Sequence, residues 1–127
     1  MKFYRYVLTT AAVLWVMSPA TIALAGEADV VGVKASSGKD GTWSFSVTVR
    51  HDDEGWDHYA DRWDVMSPDG EVLGTRVLYH PHVGEQPFTR SLGGVEIPKG
   101  LLEVVVRAHD LVHGYGGKEE VVELKLE

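Results

Sequence analysis

The sequence predicts an all-β domain, a seven-stranded antiparallel sandwich, and three observations carry that expectation. From Asp29 onward apolar and polar residues alternate with a period of two. Clusters of Gly, Pro, Asp and Ser break this alternation at intervals of about 8–12 residues, the spacing of an all-β sandwich. The one long helix-compatible run lies at the N-terminus, and the remainder is rich in Val, Thr, aromatics and Gly.

The N-terminal run is expected to stand outside the fold. Residues 1–25 carry Lys2 and Arg5, an apolar stretch from Tyr6 to Met17, then Pro19 and the small-residue end Ala23-Leu24-Ala25. That order is the order of a secretory signal peptide cleaved after Ala25. The apolar stretch falls short of the roughly 20 residues a bilayer span requires. Residues 26–127 are then one β-sandwich domain, exported to the periplasm or the cell exterior. The chain contains no cysteine, which excludes disulfides and thiolate metal sites, and with none at the cleavage site a lipid-anchored form is not expected. Its net charge of −7 becomes more negative once Lys2 and Arg5 are removed. Nucleic acid is therefore not an expected partner, nor is a membrane for the processed form.

The first strand is expected in Asp29–Ala35, with Val31, Val33 and Ala35 on one face, ending in the turn Ser36–Gly41. The second, Thr42–His51, alternates most clearly: Trp43, Phe45, Val47, Val49 and His51 share a face. The third, Asp61–Ser67, turns Trp63 and Val65 inward and stops at Pro68-Asp69-Gly70. The fourth runs from Glu71 to His80 and the fifth from Gln86 to Leu92, followed by a turn region, Gly93–Gly100. The sixth, Leu101–Asp110, puts Val104, Val106 and Ala108 on one face. The seventh, Lys118–Glu127, turns Val122, Leu124 and Leu126 inward. Its alternating Glu123, Lys125 and Glu127 suit an exposed edge guarded against pairing, so a monomer is expected.

This succession of strands and turns resembles an immunoglobulin-like or fibronectin type III sandwich. Trp63 on the third strand resembles the buried tryptophan of such folds. The loop phrases resemble those of small secreted bacterial proteins of unassigned function, so the resemblance implies a fold and no chemistry.

Strands that alternate in direction bring three loops to one end: the stretch after Arg50, the stretch after Tyr79, and the stretch after Asp110. Every histidine lies in or beside these loops: His51, His58, His80, His82, His109 and His113. With them come Asp52, Asp53, Glu54, Asp57, Asp61, Glu85 and Asp110, and the aromatics Trp56, Tyr59, Tyr79 and Tyr115. In an exported chain without thiols, imidazole and carboxylate are the ligands for a transition metal, zinc or copper. Divalent metal binding by these six histidines is the first expectation. The second is a protein- or carbohydrate-recognition surface built on Trp56, Asp57, Tyr59, Asp110 and Tyr115, with the histidines tying loops together. Catalysis is not expected, because Thr89 and Ser91 are the hydroxyls nearest this end and neither has an evident base. Arg62 and Arg107 are expected to pair with carboxylates such as Asp57 or Asp110.

Overall fold

The computed structural model describes residues 26–125. The signal-peptide assignment and Leu126 lie outside the described residues. Seven strands run in order: β1 (Asp29–Ser37), β2 (Trp43–Arg50), β3 (Ala60–Met66), β4 (Val72–Val77), β5 (Phe88–Val95), β6 (Glu103–Asp110) and β7 (Glu120–Glu123). They form two antiparallel sheets, one ordered β1-β2-β5 and the other β4-β3-β6-β7. There is no helix among the described residues, hence none long and apolar enough to cross a membrane.

The core lies between the sheets and is supplied by the inward row of each strand. On β2, Trp43, Phe45, Val47 and Val49 are buried while Ser44 and Arg50 face solvent. Trp63 and Val65 of β3, Phe88 of β5, and Val104, Val106 and Ala108 of β6 meet them. Full burial of one such side chain contributes about 1.5–3 kcal/mol, so the interleaved rows hold the sheets together.

Beyond shifts at strand ends, such as β4 stopping at Val77 instead of His80 and β7 spanning only Glu120–Glu123, three details differ from expectation. Val31 is 38% exposed, and Val30, fully buried, takes the inward place. The pairing of β1 with β2 slips between Val30 and Gly32, and this bulge switches the alternation. From Val33 on, Val33 and Ala35 pack on the core as expected. Second, β5 does not stop at Leu92. It continues through Gly93 and Gly94 to a buried Val95, with Gly94 at φ 69°. A residue without a Cβ takes that conformation freely, so the strand bends here instead of ending. Third, Arg62 and Arg107 do not pair with Asp57 or Asp110. They lie on the outer face of the four-stranded sheet, where Arg62 meets Asp61 at 3.2 Å and Arg107 Nε lies 3.7 Å from Asp64.

Two inward rows prepare the site. The β2 row continues past Val49 into His51, and the β6 row passes through Ala108 into Asp110. Both end residues are buried, at 2% and 0% exposure. Each row therefore ends in a titratable group where its sheet ends, and the two face one another across the sandwich.

Candidate metal centre

The three loops after β2, β4 and β6 meet at one end of the sandwich. Tyr59 O accepts the amide of Leu111 at 3.2 Å, joining the first loop to the third. Asp53 Oδ2 accepts the amide of His82 at 2.6 Å, joining the first to the second. Gln86 adds a further tie: its Oε1 accepts the His51 amide at 3.0 Å and its Nε2 donates to the His82 carbonyl at 3.0 Å.

His51, His58 and Asp110 are buried together, with one potential ligand atom of each lying within 4.8 Å of the others. His58 Nε2 is 3.4 Å from Asp110 Oδ1, and His51 Nε2 is 3.8 Å from Asp110 Oδ2. The Gly26 carbonyl oxygen stands between the rings, 3.2 Å from His51 Nε2 and 3.3 Å from His58 Nε2. Asp110 Oδ1 accepts the amides of Val112 at 2.8 Å and His113 at 2.7 Å, an Asx-type turn that holds its carboxylate. Its other oxygen, Oδ2, is buried and has no hydrogen-bond partner among the described residues.

Asp53 orients His51. Its Oδ1 lies 2.5 Å from His51 Nδ1 and 3.0 Å from the Ala60 amide, which it accepts. Burial opposes ionisation of Asp53. The hydrogen bonds from His51 and from the His82 and Ala60 amides outweigh it and hold the carboxyl below the usual range. An ionised carboxylate only accepts, so Nδ1 of His51 carries the proton in this contact. Burial likewise pushes His51 down, but the Asp53 hydrogen bond and charge, helped by Gly26 and Asp110, hold it above the usual imidazole value.

A chemical consequence follows at the other ring nitrogen. His51 Nε2 faces Gly26 O and Asp110 Oδ2, and both are acceptors. A neutral imidazole with its proton on Nδ1 presents a lone pair there, and lone pair against lone pair repels. Positive charge must stand between them, either a second proton on the ring or a metal ion. The arrangement carboxylate, imidazole, ligand atom is also the one by which proteins orient a metal-binding histidine.

The six histidines do not converge on a single point. His113 joins the rim of the cluster, its Nδ1 3.3 Å from Asp110 Oδ1 and its ring 5.0 Å from that of His58. His82 lies on the far side of Asp53, stacked on Phe88 at 4.0 Å and 8°, and neither of its ring nitrogens has a partner among the described residues. Burial, the Arg90 charge and His80 keep His82 below the usual imidazole value. His80 is exposed, its ring 4.6 Å from that of His82. His109 points to the outer face, where its Nδ1 lies 2.5 Å from Asp61 Oδ1.

The proposed recognition residues also separate. Trp56 is 67% exposed and rests edge-on against Tyr59 at 5.9 Å. Asp57 is exposed beside it, whereas Asp110 belongs to the buried cluster. Tyr115 folds over the outer face, donating to Asp64 at 2.6 Å, accepting from Arg62, and carrying the Arg107 guanidinium 3.7 Å above its ring. Asp53 belongs to the carboxylates expected at this end but not to the expected ligands, and Gln86 and Gly26 are not among the residues the sequence points to. For Asp53 a signal existed, since it is two residues beyond His51. Gly26 gives none, because its neighbours in space are distant in sequence.

Among curated proteins, the chain is 50% identical over 97 residues to one from Halomicrobium mukohataei named "Putative lipoprotein". The match covers 76% of this chain and 47% of that protein, so the chain spans about half the length of its relative. No family model matches the chain, and no solved structure matches it.

Proposed function

We propose that this chain is an exported β-sandwich binding module that holds a divalent transition metal, zinc or copper, at His51, His58 and Asp110. One observation carries the reading: three ligand-type side chains are buried within 4.8 Å of one another, and one Asp110 oxygen among them has no hydrogen-bond partner among the described residues. A buried carboxylate oxygen left without a partner costs about 1–3 kcal/mol or more, and a bound cation supplies the missing partner. Two imidazoles suit zinc and copper and do not suit calcium or magnesium. The strand order β1-β2-β5 against β4-β3-β6-β7 supports placing the module among immunoglobulin-like sandwiches, and the name of the relative supports an envelope or extracytoplasmic location. We read the module as a binder and not a catalyst.

Thermal unfolding with zinc and with chelator tests the reading. At a zinc concentration a hundred times the Kd, binding adds about 2.7 kcal/mol. For a domain of this size that raises Tm by roughly 10–20 °C. His58→Ala is expected to lower the melting point in chelator, because a buried ring is removed, and to abolish the zinc-dependent increase. An unchanged Tm across zinc, copper and chelator contradicts the proposal.

A second reading rests on a different observation. Trp56, Tyr79, Val83, Leu111 and Val112 are exposed, and all lie on the three loops around the cluster. Large apolar side chains gathered on loops suit recognition of a partner.

A further inference from the structure

Three side-chain ligands leave one corner of a tetrahedral site to fill. Four donors about 2.1 Å from a common ion stand about 3.4 Å from one another, by the geometry of the tetrahedron. The Gly26 carbonyl oxygen is 3.2 Å from His51 Nε2 and 3.3 Å from His58 Nε2, and His58 Nε2 is 3.4 Å from Asp110 Oδ1. These three separations are close to tetrahedral edges, and the edge from His51 Nε2 to Asp110 Oδ2, the oxygen with no hydrogen-bond partner among the described residues, is longer, at 3.8 Å.

The position of this carbonyl is built by the fold. Val30 donates to the Lys118 carbonyl at 2.8 Å, and Lys118 donates back to Asp29 Oδ1 at 2.7 Å. Gly117 presses so closely on the lead-in to β1 that a Cβ there would stand 2.0 Å from the Ala28 carbonyl oxygen. Ala28 is buried, and Gly26 is buried beyond it. The loop after β6 thus clamps residues 28–30 and delivers Gly26 over the two imidazoles.

We propose that the main-chain carbonyl of Gly26 is the fourth ligand, closing the site and fastening the lead-in to β1 onto the bound metal. This rests on the metal-binding reading above and adds to it the ligand set: two imidazole nitrogens, one carboxylate oxygen and one peptide oxygen. Two hard oxygens and no sulfur favour zinc over copper(I). The set also gives the glycines after His113 a purpose, since Gly117 lets the loop approach the backbone that carries the ligand.

The test is a zinc titration of the wild-type protein labelled with 15N and 13C, read at two places. The Nε2 resonances of His51 and His58 report the metal-binding reading. The carbonyl 13C of Gly26 reports the inference, and its sign matters. Coordination draws electron density from the carbonyl and moves the resonance downfield. Zinc that merely displaced imidazole protons would strip the carbonyl of hydrogen bonds and move it upfield. Downfield movement of Gly26 at the same stoichiometry as the two Nε2 shifts is the expected result. Nε2 shifts with Gly26 unmoved or upfield overturn the fourth ligand and leave the three side chains standing. Unmoved Nε2 resonances overturn the metal site and this inference with it.

Discussion

Replacing Asp53 by asparagine removes one negative charge and nearly nothing of the side-chain volume, at the residue that ties His51 to two backbone amides. In the parent, its two oxygens accept from His51 Nδ1 at 2.5 Å, from the Ala60 amide at 3.0 Å and from the His82 amide at 2.6 Å. The carboxyl and the imidazole are both fully buried. Hydrogen bonds to charged groups contribute about 1.5–3 kcal/mol each, and losing one partner of a buried pair costs about 3–5 kcal/mol. An asparagine retains one acceptor and turns an NH2 toward a neighbour that also donates. The expected loss is about 3–5 kcal/mol, which lowers Tm by roughly 12–40 °C. The assay is denaturation in chelator, so that no metal contributes, repeated from about pH 2 to about pH 9, a range that spans both titrations. The pH profile carries a second signature. His51 is raised in the folded protein, so its contribution is complete below the unfolded value near 6.5 and is lost as pH rises through the folded value. Asp53 is lowered, so its contribution is present above about pH 3.9 and is lost as pH falls through the folded value. Asp53→Asn is expected to flatten both flanks. A variant within about 0.5 kcal/mol of the parent, the range of an ordinary surface substitution, with an unchanged profile, would refute the reasoning.

Three further outcomes are expected. His82→Phe keeps a flat ring on Phe88 and removes two buried nitrogens that have no partner among the described residues. It is expected to be neutral or stabilising by up to about 1 kcal/mol and, because His82 is lowered, to remove a loss of stability that sets in as pH falls below about 6.5. Denaturant midpoints at pH 5 and pH 8 check both. Gly117→Ala drives a methyl group into the Ala28 carbonyl and is expected to cost about 1–3 kcal/mol. The same change is expected to weaken zinc binding, which calorimetry reads; unaltered stability removes the clamp on the lead-in to β1. Trp56→Ala is expected to leave stability within about 0.5 kcal/mol, since Trp56 is 67% exposed; a larger loss in a melting curve assigns it to the fold and away from any recognition role.

What the sequence revealed about the site follows the period of a strand. The alternation of β2 carries directly into His51, and the succession of strand directions brings the three loops to one end. The same period also separates His109 from Asp110, because neighbours on a strand face opposite ways. Asp110 points into the core and His109 out toward Asp61, as do Arg62 and Arg107 toward Asp61 and Asp64. Loop proximity does not distinguish His109 from Asp110; the alternation of the sixth strand does. His58 sits mid-loop, where no periodicity reports direction, and its approach to Asp110 depends on loop geometry. The bulge at Val31 and the continuation of β5 through Gly93 and Gly94 are set by pairing with neighbouring strands, which a linear pattern does not record. Gly26 meets His51 and His58 only because β1 and the loop after β6 are clamped together.

X-ray absorption at the zinc edge of the loaded protein tests the central claim most directly. The account predicts a four-coordinate zinc with nitrogen and oxygen neighbours at about 2.0–2.2 Å, two of them imidazoles, bound in equal numbers to protein and lost in His58→Ala. Zinc that fails to bind stoichiometrically, or that keeps the same spectrum in His58→Ala and loses it when His80 and His82 are replaced, contradicts the account.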